Sequence, residues 1–430
     1  MTNWKEYTFE ELFKIPLRNG LNKPSKVRGA GYRMINMKEI FGYDFIDDST
    51  PMELVPLSER EKENSFLQEG DLLFARQSLI ASGAGKISIY RGSLPTVFES
   101  HLIRCRIDNK IALSKYVYYL VKSPYGRGKI ETIVTQTAAA GIRGSELKNL
   151  KFNLPDLPTQ TAIAEILSSL DDKIELNNKI NQELENLAQT LFKQWFIDFE
   201  FPNQNGEPYK SSGGEMVDSE LGEIPKGWEV KKVDEVTEIS SSKRIFSKEY
   251  VETGVPFFRG KEITELDRSN KISTELFISY ERYNDIKSKF GVPKIGDILI
   301  TSVGTIGNTY LINYEFDFYF KDGNITWIKN YTSHLSPYFI FTWLRSNETQ
   351  SNIKKVCIGS TQQALTITAL NNLKIIFPSK VLSTEFSSVI ESMYNQISSN
   401  KNENQELTNL RDTLLPKLIS GELEVNNHNF

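Results

Sequence analysis

The side chains with the means to do chemistry in this 430-residue chain are cations and amides set in polar loops, and the chemistry they suit is contact with a polyanion. Lys23, Lys26, Arg28 and Arg33 fall within NKPSKVRGAGYR, with an aromatic interleaved. Lys243, Arg244 and Lys248 occupy SSKRIFSKEY, and Arg259 and Lys261 follow in FFRGK. In a nucleic-acid-binding lobe such residues neutralise phosphates or reach base edges, Arg being the commonest reader of guanine. Four further loops carry groups that can read bases in a groove, with glycines that allow close backbone approach. They are ARQSLIASGAGK (75–86), TQTAAAGIRG (135–144), TSVGTIGN (301–308) and GSTQQALT (359–366), which supply Arg76, Gln77, Lys86, Gln136, Arg143, Ser302, Thr305, Ser360 and Gln362. A solvated surface loop is the competing reading of each cluster. Leu72, Leu73, Ile298 and Leu299 read as core strand residues.

Catalytic patterns are missing. SGAGKIS (82–88) falls short of a phosphate-binding loop, which needs Gly where Ile80 stands and Ser or Thr where Ile87 stands. The chain has three histidines, and His101 aligns with Asn324 in the repeat described below, so no repeated His chemistry appears. There is neither the Asn-Pro-Pro-aromatic tetrapeptide of an amino-methyltransferase nor a dinucleotide fingerprint. Cys105 and Cys357 suggest neither a disulfide framework nor a metal site, and a reducing cytoplasm is the expected setting. No apolar run approaches the roughly 18 residues of a membrane span.

The loops must be positioned by something, and the sequence shows what. Residues 159–199 contain no Gly or Pro, and Ile163, Leu167, Leu170, Ile174, Leu184, Ala188, Leu191 and Trp195 follow a 4,3 rhythm, the seam of a coiled coil. Asn177 and Asn181 interrupt that seam at its middle, as polar residues that specify register do. QELENLAQTL (182–191) is answered by QELTNLRDTL (405–414), an offset of 405 minus 182, or 223. At that offset the seam repeats as Phe386, Ile390, Met393, Ile397, Asn400, Asn404, Leu407 and Leu414. The seam is palindromic about its middle. An antiparallel pairing of the two helices would set Asn177 and Asn181 level with Asn400 and Asn404 and hold the lobes at opposite ends of a rod. A parallel pairing would match the Asn levels as well.

The repeat extends into the lobes. GDLLFAR (70–76) is matched by GDILITS (296–302), and LKNLKFNLP (147–155) by LNNLKIIFP (370–378). Short runs rich in β-branched and aromatic residues predict strands separated by Gly-containing turns, and 114–134 and 336–356 have helical character. The predicted fold is therefore mixed α and β, a tandem duplication of two globular lobes separated by two long helices. The divisions are a lobe at 1–158, a helix at 159–200, a Gly, Pro and Ser-rich linker at 201–227, a second lobe at 228–380 and a second helix at 381–424. Charge follows the same divisions. Residues 1–158 hold 23 Lys+Arg against 18 Asp+Glu and 225–380 hold 21 against 17, whereas 159–224 hold 4 against 13 and 381–430 hold 3 against 7. Basic lobes and acidic helices suit a polyanion-binding part and a protein-binding part.

AIAEILSSLDDKIELNNKINQELENLAQTLFKQWF (162–196), VDSELGEIPKGWEV (217–230), the two GD strands and GSTQQALTITALNNLKIIFP (359–378) resemble the specificity subunit of type I restriction-modification systems. The resemblance covers essentially the whole chain. It implies two target-recognition domains, each reading one half of a bipartite site in double-stranded DNA, and an antiparallel coiled coil that docks two methyltransferase subunits and sets half-site spacing. It implies no catalysis in this chain: S-adenosylmethionine, ATP and Mg are expected on the methyltransferase and restriction subunits. It transfers no base-reading residue. The alternative from another class is a coiled-coil scaffold whose lobes bind proteins or glycans. A self-contained methyltransferase is a third reading, disfavoured by the missing motifs.

Overall fold

The computed structural model describes residues 4–136, 140–269, 273–331, 334–359 and 363–425. The chain divides into two units, Met1–Lys173 with Leu407–Phe430, and Ile174–Glu406. Each unit therefore holds one lobe and a part of both long helices.

In the first unit the central sheet has five strands in the order Phe13–Asn19, Leu102–Ile107, Leu72–Ala75, Ile87–Tyr90, Phe45–Ile46. All neighbours are antiparallel except the last pair. Every residue of Leu72–Ala75 is buried, as a continuous apolar run in a central strand requires. A second sheet of Glu53–Val55, Tyr32–Ile35 and Thr96–Phe98 contains a parallel pair, and Lys5–Thr8 pairs with Lys151–Leu154.

The second unit repeats this plan. Its strands Glu238–Ser240, Ile325–Lys329, Ile298–Thr301 and Thr309–Leu311 stand in the order of the first four above. Val255–Phe258 pairs in parallel with Tyr319–Phe320, and Glu229–Lys232 pairs with Lys374–Phe377.

The GD dipeptides turn out to be structural. Gly70 (φ 86°) and Gly296 (φ 91°) adopt left-handed backbone that favours glycine. Each places the next aspartate in the core. Asp71 accepts two hydrogen bonds from Arg106, both 2.7 Å, and one from the Gln68 N–H. Asp297 accepts from Trp327 Nε1 at 2.8 Å and from the Lys294 N–H, and burial raises its pKa. The predicted helical stretches are each broken in two, at Ser123 and Ser346, whose hydroxyls accept from the N–H groups of Gly126 and Thr349 and so start a new helix.

The long helices are Leu157–Phe196 and Lys380–Ser420. The first starts two residues before the expected position, because Pro158 fits a first helical turn where no N–H is needed. The second runs past Pro416 and ends at Ser420, just before Gly421 in left-handed backbone (φ 72°), within the 381–424 bounds expected for its end. No helix among the described residues is long and apolar enough to cross a membrane. The segment expected to be a plain linker is largely built. Met216–Ser219 and Gly222–Pro225 form a hairpin, and the Phe201 ring stacks on Tyr209 at 4.6 Å and on Trp228 at 5.0 Å. Gly and Pro content hid this because the aromatics that fix the segment are few and far apart.

Candidate nucleic-acid interface

The helix pairing that carries the lobes is antiparallel. In the second unit, Asn177 Nδ2 donates to Asn404 Oδ1 at 2.9 Å and to Glu403 Oε2 at 2.8 Å, while Asn400 Nδ2 donates to Asn181 Oδ1 at 2.8 Å. Moving four residues forward on one helix moves four back on the other. Asn177, Asn181 and Asn400 are buried and Asn404 half-buried. Of the predicted seam, Ile397 is buried, and Leu184, Leu191 and Met393 are half-buried against the apolar core of the second lobe. In the first unit Leu414 lies half-buried against the first lobe's core, beside Ile163, Leu167 and Leu418. Leu170, Ile174 and Leu407 are half-buried too. The apolar stripe is thus wider than a two-helix seam, since the lobes pack on it as well: Phe192 and Phe196 meet Phe339 of the second lobe at 5.6 and 4.9 Å.

The loop residues singled out from sequence fall into two groups. One group is spent on internal contacts. Lys23 pairs with Glu61 at 2.9 Å, and the Ser58 N–H together with Lys23 holds the Glu61 carboxyl down to about 2. Arg28 donates to the Lys23 carbonyl at 3.0 Å, to Asn36 Oδ1 at 3.2 Å and to Glu53. Arg33 donates to the carbonyls of Asp48 and Thr50, each at 2.8 Å, and to that of Asp47. These three cations staple their own loop.

Lys86 donates to the Phe41 carbonyl at 2.9 Å, and burial pushes its pKa down. In the second lobe Arg244 pairs with Asp322 at 2.8 Å while its side chain stays 69% exposed, so it belongs with the outward-facing residues. Arg259 pairs with the buried Glu262, also at 2.8 Å, which raises its pKa. Ser302 is buried, its hydroxyl 2.6 Å from that of Thr326.

The other group faces outward. Lys26, Gln77, Arg143, Lys243, Lys248, Lys261 and Thr305 are exposed, and Arg76 is half-exposed. Lys243 Nζ sits 4.3 Å from the centre of the Phe290 ring, and Lys261 is 3.5 Å from Glu265. A three-stranded ribbon brings several of the first lobe's candidates together. Gln77 pairs with Gly141 and Gln136 with Ala140, so Arg76, Gln77, Gln136 and Arg143 belong to one small ribbon and its flanks. Ser360 and Gln362 lie outside the described residues.

Not singled out from sequence are Leu79 and Ile80, which directly follow the ribbon strand Gln77–Ser78, and Arg127, which donates to the carbonyls of Ser82 and Ala84 in the turn after them. The available signal was two consecutive large aliphatics inside an otherwise polar, glycine-containing loop. Among the described residues no cluster of three or more His, Cys, Asp or Glu could hold a metal ion.

Each unit thus presents exposed cations on the loops of a lobe whose sheet shares one order of four strands, and within the second unit the long helices run antiparallel. The chain belongs to the family described as the type I restriction modification DNA specificity domain, whose model matches residues 1–186 and again 225–409. It is 28% identical to the type I restriction enzyme MjaIX specificity subunit of Methanocaldococcus jannaschii, over 98% of this chain and 97% of that one. It is 23% identical to the HindI specificity subunit of Haemophilus influenzae, over 98% of this chain and all of the relative. Its fold is similar to the crystal structure of the type I restriction-modification S subunit from M. genitalium, with a TM-score of 0.54 at 17% identity over 97% of this chain and 96% of that one.

Proposed function

We propose that each lobe reads one half of a bipartite site in duplex DNA, and that the helix pair docks two methyltransferase subunits and sets the distance between half-sites. One observation carries this reading: the two lobes share the order of four central strands, with a buried GD aspartate in each, but differ in the loops they expose. The first offers Gln77 and Arg143 on a ribbon, whereas the second offers Thr305 beside Gly304 on a short turn. A common frame with unlike loops is what reading two different sequences requires. Docking is supported by Leu176, Ile180 and Leu187, which share one helical stripe and remain 52%, 38% and 45% exposed. Methyl transfer from S-adenosylmethionine would occur on the docked subunits, and ATP- and Mg-dependent cleavage on restriction subunits, so the work of this chain is recognition and placement.

Replacing residues 228–380 with the lobe of a relative tests the reading. Methylome sequencing of the host should then show one half of the methylated motif changed and the other retained. Alteration of both halves would overturn the assignment of one lobe to one half-site. Absence of DNA retention at low salt, with the methyltransferase present, would favour a scaffold that binds proteins or glycans.

A further inference from the structure

Leu79 is 96% exposed, the highest value among the large apolar side chains of the described residues, and its neighbour Ile80 is 65% exposed. A single exposed aliphatic needs no explanation. Two in succession at the tip of a stiffened loop are different. Arg127 donates through Nη1 to the Ala84 carbonyl at 2.9 Å and through Nη2 to the Ser82 carbonyl at 3.1 Å. The Ile80 N–H donates to Ser78 Oγ at 3.2 Å, the Gly83 N–H to the Ile80 carbonyl at 3.1 Å and the Gly85 N–H to the Ala75 carbonyl at 2.8 Å. The packing beneath is tight enough that a Cβ on Gly83 would lie 2.2 Å from Ser78 Oγ. The loop is thus fixed from below while its apolar tip stands in water.

We propose that Leu79 and Ile80 form a wedge that enters a base step of the half-site read by the first lobe and kinks the duplex there. This rests on the DNA-reading role proposed above. Aliphatic side chains inserted between base steps unstack them at a cost of a few kcal/mol, recovered through the added surface that bent DNA covers. A preorganised wedge loses little entropy on insertion. The surroundings select DNA as the occupant. Exposed Gln77 shares the ribbon, Arg143 follows the strand paired to it, and Arg76 precedes it. These are partners for base edges and phosphates. The corresponding turn of the second lobe, 301–308, has no large aliphatic at its tip, although Ile358, bridged to it through Ala364, is 59% exposed. Val303 and Ile306 are half-buried there, and its exposed tip is Gly304 and Thr305. The kink is thereby placed in the half-site read by the first lobe, and the other half-site serves as the comparison.

The test uses the full chain assembled with its methyltransferase subunit, on a duplex carrying 2-aminopurine at successive steps of each half-site. The native complex should brighten one step in the half-site assigned to the first lobe, and none in the other. Leu79→Ala with Ile80→Ala should abolish that signal and weaken specific binding roughly tenfold, with non-specific affinity and the second half-site unchanged. Leu79→Phe, which keeps a wedge, should restore both in an Ile80→Ala background. Unchanged signal and affinity in the double alanine variant would overturn the proposal. So would loss of methyltransferase co-purification with an intact DNA signal, which would make the tip a protein-docking element. If the native complex retains no DNA at low salt, the DNA-reading role itself fails, an outcome distinct from failure of the wedge alone.

Discussion

Asn400 donates its side-chain amide to Asn181 Oδ1 at 2.8 Å inside a helix pair, one turn from a second Asn level at Asn177 and Asn404. The bond pairs one donor and one acceptor of two buried amides, and together with the Asn177–Asn404 bond it fixes the register in which both Asn levels are matched.

Asn400→Leu alone should therefore destabilise the protein, because Asn181 is left buried without that partner, at a cost of about 1–3 kcal/mol. Asn181→Leu together with Asn400→Leu should recover most of that stability, since replacing both partners by apolar groups is close to neutral. Urea unfolding of the three proteins measures this. A double variant less stable than the single one would show that the Asn layer supplies net stability as well as register.

Arg345 carries a second prediction. Its guanidinium lies 2.7 Å from Asp267 and 3.2 Å from Glu185 of the long helix. Burial opposes its charge, but the two carboxylates outweigh burial and raise its pKa. The corresponding pair 223 residues earlier is Lys122 with Asp44 at 2.6 Å, and there the side chains are 25% and 39% exposed. Arg345→Ala should cost about 2 kcal/mol, since two half-buried carboxylates lose their paired guanidinium and keep only Lys401 nearby. Lys122→Ala should cost less than about 1 kcal/mol. Thermal unfolding of both variants checks the ranking, and equal destabilisation would refute it.

The division of the basic loops into stapled and exposed residues is testable by salt. Lys26→Ala or Lys248→Ala should weaken binding to all sequences and flatten the salt slope by about 0.9 for each phosphate no longer neutralised. Arg33→Ala should instead lower stability, because its donors are used on three carbonyls of its own lobe.

Acid tests the same loop. The folded-state pKa of Glu61 is depressed from 4.5 to about 2, so its stabilising contribution is present above pH 4.5 and disappears as pH falls toward 2. Glu61→Gln should flatten that part of the stability profile, measured by unfolding at stepped pH.

If the helix pair sets half-site spacing, matched insertion of seven residues after Asn181 and before Asn400 should add roughly 10 Å to it. The methylated motif should then gain about three base pairs of spacer, with some activity sacrificed to a change of helical phase. A functional variant with the original spacer would show that the helices do not determine the distance. Insertion in one helix alone should disrupt the Asn layer.

The amino-acid sequence by itself determined the duplication, the two long helices and the level of the Asn pairs, because a 4,3 apolar rhythm and a repeated polar interruption are local patterns that survive without knowledge of the partner. It also marked the GD strands, although their aspartates proved to be buried caps that anchor the sheet. Tertiary structure decided the rest. A palindromic seam is compatible with either helix direction, and only the hydrogen bonds of Asn177 to Asn404 and Asn400 to Asn181 show it to be antiparallel. Composition made Lys23, Lys26, Arg28 and Arg33 look equivalent, yet whether a cation is available depends on which carboxylates and carbonyls the fold brings beside it. Glu61, Glu53 and the carbonyls of Asp47, Asp48 and Thr50 lie 14 to 38 residues away in sequence. Leu79 and Ile80 show the converse: two aliphatics in a polar loop are visible in sequence, but that no other part of the fold covers them is decided only by the tertiary structure.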